Sequence, residues 1–96
     1  FHKAIQNYTT SLIYNEFNAD AYYKRGIVLD TLRRHREAIE NYTYAIALNS
    51  SDGVYYSHRG NSRFTAGNKE GACLDWTIAG NLGYYKDFDK VSRLCD

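Results

Sequence analysis

Proline and methionine are both absent from the 96 residues, and cysteine occurs only twice. Without proline, nothing in the chain forces a helix to kink or stop. No stretch of about 18 apolar residues exists, which excludes a membrane-spanning helix. A formal net charge of +1 leaves no field strong enough to gather polyanions, so neither nucleic acid nor a membrane surface is expected as a partner. Cys73 and Cys95 lie too far apart for a zinc motif and no histidine pair completes a ligand set, so no metal is expected. His2, His35 and His58 are scattered, no glycine-rich phosphate loop is present, and no serine or cysteine has a base at a recognisable spacing. The expectation is a protein without catalysis or cofactor. No charged-then-apolar leader opens the chain. Phe1 enters a helical pattern without a cap, so the natural start is expected upstream. The chain reads as soluble, and its compartment stays open between cytoplasm and bacterial periplasm.

Against these absences stand ten tyrosines and a repeat of 34 residues. At that offset Ala4, Ala38 and Ala72 coincide, as do Tyr8, Tyr42 and Trp76, then Thr9, Thr43 and Thr77. The same shift pairs Tyr22 with Tyr56, Arg25 with Arg59 and Gly26 with Gly60, with no gap required. A fixed period in this range marks stacked supersecondary units.

Each unit reads as two helices. Over residues 18–33, Tyr22, Gly26, Leu29 and Leu32 recur at three- and four-residue spacing and share one face. A second stripe, Ala38, Ile39, Tyr42, Ala45 and Ile46, follows a short basic turn. Ser50, Ser51 and Asp52 offer N-caps for the next helix, and Gly67 with Asn68 stops it and starts its partner. Gly26 and Gly60 cost about 1 kcal/mol each inside a helix, which close helix approach must offset. Large aromatics at Tyr8, Tyr42 and Trp76 then fill the space between layers, each contributing about 1.5 to 3 kcal/mol when buried.

This order of an aromatic, a glycine four on, then alanine, aromatic and alanine along the second helix resembles the tetratricopeptide repeat family over nearly the whole chain. Arg25 and Arg59 depart from it, standing where leucine is usual, and Glu16, Ser50 and Tyr84 stand where a proline often ends the second helix. The last third, including Ala72, Cys73, Asp75, Trp76, Gly83 and Cys95, looks like the C-terminal end of bacterial members. The expected fold is therefore all-α, an antiparallel helix-pair solenoid in one domain. Its divisions are half a repeat at 1–17, full repeats at 18–51 and 52–83, and a capping helix at 84–96. The cap rests on the stripe Tyr84, Phe88, Val91 and Leu94, and the C-terminus is expected to be natural.

The resemblance implies a protein or peptide partner on the concave side of the first helices. By alignment the groove-facing residues are Asp20, Tyr23, Lys24, Ile27, Asp30 and Thr31, then Val54, Ser57, His58, Asn61 and Phe64. Members that grip a terminal carboxylate use lysine and asparagine one turn apart; Tyr23 with Ile27 and Ser57 with Asn61 do not reproduce that pair. Tyr23, Asn61 and Phe64 are the expected contact residues, whereas Tyr8, Tyr22, Tyr42 and Tyr56 are expected in packing. The cluster Arg33, Arg34, His35 and Arg36 reads as a solvated turn. A structural role, as solenoid end cap or assembly spacer, is the alternative. Over residues 1–14 the stripe Ala4, Ile5, Tyr8 and Leu12 lacks its partner helix, which points to self-association through that face. If the last helix folds back at Leu82 and Gly83, Cys73 and Cys95 reach one level. A disulfide and two reduced thiols both remain open. The triplets at Asn7, Asn41 and Asn49 match glycosylation acceptors, and the first two are echoes of one repeat position.

Overall fold

A computed structural model describes residues 2–15 and 17–95, with the Tyr14 side chain outside the description. The expectations attached to Phe1, Glu16 and Asp96 fall outside the described residues. Among the described residues six helices follow in order: α1 His2–Tyr14, α2 Ala19–Thr31, α3 His35–Leu48, α4 Gly53–Thr65, α5 Lys69–Asn81 and α6 Phe88–Leu94, the last entered through a 3-10 turn at Tyr85–Asp87. No strand occurs among the described residues. The expected all-helical solenoid is what the chain forms, with α2 and α4 starting 34 positions apart, as do α3 and α5.

Local chemistry sets these limits. The side chains of Asn18, Asp52 and Asn68 accept hydrogen bonds from the Ala21, Val54 and Gly71 amides and cap α2, α4 and α5. At the other ends Arg33, Gly67 and Gly83 take positive φ of 62°, 93° and 94°. The amides of Arg34, Asn68 and Tyr84 then reach back to the carbonyls of Leu29, Arg63 and Ala79, the Schellman closure of a helix.

Packing follows the small-and-large pattern. A Cβ built on Gly26 would lie 2.5 Å from the Tyr42 ring, and one on Gly60 would lie 2.7 Å from the Trp76 indole. These two glycines thus give the following helix's aromatic its place. Leu29, Ala38 and Tyr42 form a buried cluster onto which Ile5, Tyr23 and Ile27 pack. Ala45, Ala72, Trp76 and Ala79 continue the core towards the C-terminus.

Two expectations are corrected. The stripe on α1 is not uncovered: Leu12 is buried, and Ala4, Ile5 and Tyr8 are half-buried, because the second helix of a pair packs on the following pair as well as its own. Among the described residues the large apolar side chains that stay open at this end are Ile13 and Phe17, the latter 72% exposed. On α6, Phe88 is 71% exposed rather than turned inward, and Asp87 is buried in its stead. The reason lies at Gly83, which occupies the position that Asn49 holds in the preceding unit. Asn49 stays at φ −150° and a short turn over residues 50–52 leads from it into the next helix, whereas Gly83 closes α5 with a Schellman turn. The 3-10 turn that follows rotates the last helix.

Candidate functional site

Two side chains of α2 and α4 meet across the face these helices share. Tyr23 Oη lies 3.3 Å from His58 Nε2, and the rings meet edge to face with centroids 5.2 Å apart. The Tyr55 ring lies tilted against Tyr23, with centroids 5.0 Å apart. Burial raises the Tyr23 phenol above its ordinary value, and the nearby Tyr84, Asp52 and Asp20 add to this. Burial also lowers the His58 imidazole, against the pull of Asp30 and Asp87. At neutral pH His58 is therefore an uncharged donor and acceptor, half-buried like Tyr23, while Tyr42 and Tyr55 are buried.

Asp30 closes the floor of this patch. Its Oδ2 accepts from the Tyr42 hydroxyl at 2.7 Å and from Ser62, and its Oδ1 lies 2.8 Å from His35 Nδ1. One carboxylate thus ties α2 to α3 and α4. Burial first, and then Asp30, drives the Tyr42 phenol far above the ordinary range.

At the C-terminal end of the face, Asn61 Oδ1 accepts from Trp76 Nε1 at 3.1 Å and from Lys90 Nζ at 2.9 Å. Lys90 Nζ also donates to Asp87 Oδ1 at 3.0 Å and sits 5.4 Å from the centre of the Trp76 ring. Phe64 packs beside that ring at 5.7 Å. Asp87 is 2% exposed, and its Oδ2 has no hydrogen-bond partner among the described residues.

Of the residues expected in a groove, Tyr23, Ile27 and His58 come together, with Lys24 at their edge in an ion pair with Asp20 at 2.9 Å. Asp20 and Thr31 are exposed, and Val54 is half-buried. Ser57 is 3% exposed and offers nothing to a partner; one helical position separates it from the His58 face. Asp30 and Asn61 lie at the patch, yet their acceptors are already occupied. Phe64 remains exposed.

Three features escaped the sequence reading. Tyr55 is buried against Tyr23, although the 34-residue offset pairs it with Ala21, a small residue that gave no warning. Lys90 reaches Asn61 because of the turn at residues 85–87. The arginines at the leucine position have a shared explanation. Arg59 binds both oxygens of Asp75 at 3.0 and 2.8 Å and donates to Thr43, while Arg25 donates to Asn41 at 2.7 Å and to Thr9. Asn41 and Asp75 are 34 positions apart, as are Thr9 and Thr43. That echo was the available signal. Arg63 adds a second cation to Asp75, which is 0% exposed. Cys73 and Cys95 are bonded as a disulfide with Cα atoms 5.8 Å apart, fastening the end of α6 to α5. Asn41 is buried and offers no acceptor site for a glycan, whereas Asn49 is exposed.

No protein-family model matches the chain, and no curated protein matches it. Solved structures do. The chain is similar to MamA MSR-1 C2, with a TM-score of 0.78 and 24% identity over 82% of this chain and 45% of the other. A crystal structure of MamA gives 0.80 and 27% identity over 88% of this chain and 49% of that one. These likenesses establish a tetratricopeptide-like helical repeat fold. The chain spans just under half the length of these two structures.

Proposed function

We propose that the chain is a non-catalytic scaffold that binds a peptide or protein through the α2/α4 face. Its divisions on this reading are the half repeat 1–17, the repeats 18–51 and 52–83, and the closing segment 84–96. The observation that carries the proposal is the half-buried Tyr23, whose ring meets those of Tyr55 and His58. Rigid, pre-positioned aromatic rings bury area at little entropic cost, and a neutral imidazole supplies direction. Ile27 extends the apolar part of this surface, and Lys24 borders it. The likeness to helical repeat proteins supports a scaffold role in general terms.

Selection of a displayed random peptide library on the oxidised chain tests this. Enriched peptides are expected to lose about tenfold in affinity on Tyr23→Ala, where a central aromatic anchor is removed, and to keep it on the remote Phe17→Ala. Enrichment indifferent to Tyr23 counts against the α2/α4 face.

A second reading, self-assembly, is favoured by one observation. Phe17, Tyr22, Tyr44, Ala47 and Leu48 line an apolar hollow, and Phe17 and Tyr44 are both exposed. Sedimentation that shows a strict monomer at millimolar concentration removes it.

A further inference from the structure

The C-terminal segment packs on the repeats in an unusual way. Tyr85 and Phe88, its largest apolar side chains apart from Tyr84, point to solvent. Between it and α5 lies a largely apolar groove of about 340 Å³, bordered by Trp76, Gly80, Tyr84, Phe88 and Val91. Polar contacts also hold it, beside the half-buried Tyr84, Val91 and Leu94. Lys90 places its ammonium on the Trp76 ring and on Asn61 Oδ1, and Asp87 is buried with one oxygen unpartnered among the described residues. A buried carboxylate oxygen without a donor opposes docking, because the released segment would hydrate it. Beyond these contacts the disulfide ties the helix down one residue after it ends.

Asn61 and Phe64 belong to the same α4 face as His58, so the segment lies on one end of the surface assigned above to partner binding. We infer that residues 84–94 are an internal ligand, that Lys90 fills a cation subsite made by Trp76 and Asn61, and that opening the Cys73–Cys95 bond releases this subsite to a partner segment presenting a lysine. The inference rests on the scaffold reading and names the chemistry its surface accepts. A cation over an indole with a carbonyl acceptor beside it is a combination that selects an ammonium group. Opening the bond takes a dithiol reductant. Two electrons and two protons convert Cys73 and Cys95 to thiols while the dithiol closes to its own disulfide. Linked to the chain, the segment competes at a high effective concentration, so it excludes a weaker partner as long as it is fastened.

The test uses the full chain and a labelled synthetic peptide of residues 84–94. In the opened chain, Cys73→Ser, Cys95→Ser and Lys90→Ala are combined, so that the internal segment no longer competes. This chain is expected to bind the peptide about tenfold more tightly than the oxidised natural chain does, and a peptide carrying Lys90→Ala is expected to lose about tenfold. Equal binding to the opened and oxidised chains, equal binding of the two peptides, or no binding to the opened chain overturns the inference. Hydrogen exchange on the natural chain provides a second measurement that does not depend on the variant folding. A dithiol should speed exchange in residues 84–94 and leave α4 unchanged; persistent protection of the segment after reduction also overturns it. Should either failure occur while library peptides still depend on Tyr23, the scaffold reading stands and only the internal ligand is lost.

Discussion

A methyl group added at Gly26 would put its carbon 2.5 Å from the Tyr42 ring, and that ring cannot yield because it is fully buried and its hydroxyl is held by Asp30. Gly26→Ala is therefore expected to destabilise the chain by about 2 kcal/mol through overpacking, despite the roughly 1 kcal/mol that alanine gains in helix propensity. Gly67→Ala should cost about 1 kcal/mol for a different reason: nothing lies within 4 Å of the new carbon, and only the φ of +93° resists it. Urea unfolding at neutral pH separates the two, and equal costs would show that the Tyr42 contact is looser than the structure has it. Tyr42 also contributes to the alkaline behaviour. Its folded-state pKa is raised from 10.0 by burial and by Asp30, so its stabilising contribution is complete below pH 10 and is lost as the pH rises further. Tyr42→Phe should cost about 1.5 kcal/mol at pH 7 by removing a hydrogen bond to a carboxylate. It should also flatten the fall in stability measured as the pH rises above 10.

Between elements, the Arg25 and Arg59 joints explain why a polar side chain stands at a position usually given to leucine. Each arginine reaches from the first helix of its pair to an Asn or Asp on the second, and to a threonine on the preceding one. Because Asp75 is wholly buried between Arg59 and Arg63, Asp75→Ala leaves two guanidinium groups without a counter-charge and should cost about 3 kcal/mol. Asp75→Asn, which copies the Asn41 joint, should cost only about 1 kcal/mol. Thermal unfolding of the two variants decides whether charge or mere hydrogen bonding holds the joint. The helices themselves were legible in the sequence, since Gly26 and Gly60, the alanines and the aromatics repeat without a gap. The partners of Arg25 and Arg59 were not singled out, because periodicity reports which residues share a face and not which polar atoms meet. Much of the candidate site was illegible for the same reason. Tyr23 and His58 were on the expected face, but the burial of Ser57, the occupation of Asp30 and Asn61, and the outward turn of Phe88 all depend on how helices sit against one another. Gly83 in place of Asn49 was the one visible sign that the last helix would depart from the pattern.

For the whole molecule, stacking rather than enclosure sets the stability profile. The described chain extends 42 × 26 × 17 Å, and apart from a narrow approach of α2 to α4 each helix touches chiefly its neighbours in sequence. In such an array stability is a sum of unit and interface terms, and a helix with neighbours on both sides is held more firmly than one at an end. Among the described residues α3 and α4 have packed layers on either side, α1 packs chiefly on α2, and α6 chiefly on the end of α5 and on α4, reinforced by the disulfide. Amide exchange of the oxidised chain is accordingly expected to be slowest in α3 and α4, to rise towards α1, and to be intermediate in α6, where the covalent tie limits opening. A chain that unfolds as one unit would instead show its slowest amides converging on a single rate in every helix, and that result would mean that the joints at Arg25 and Arg59 transmit stability along the full stack.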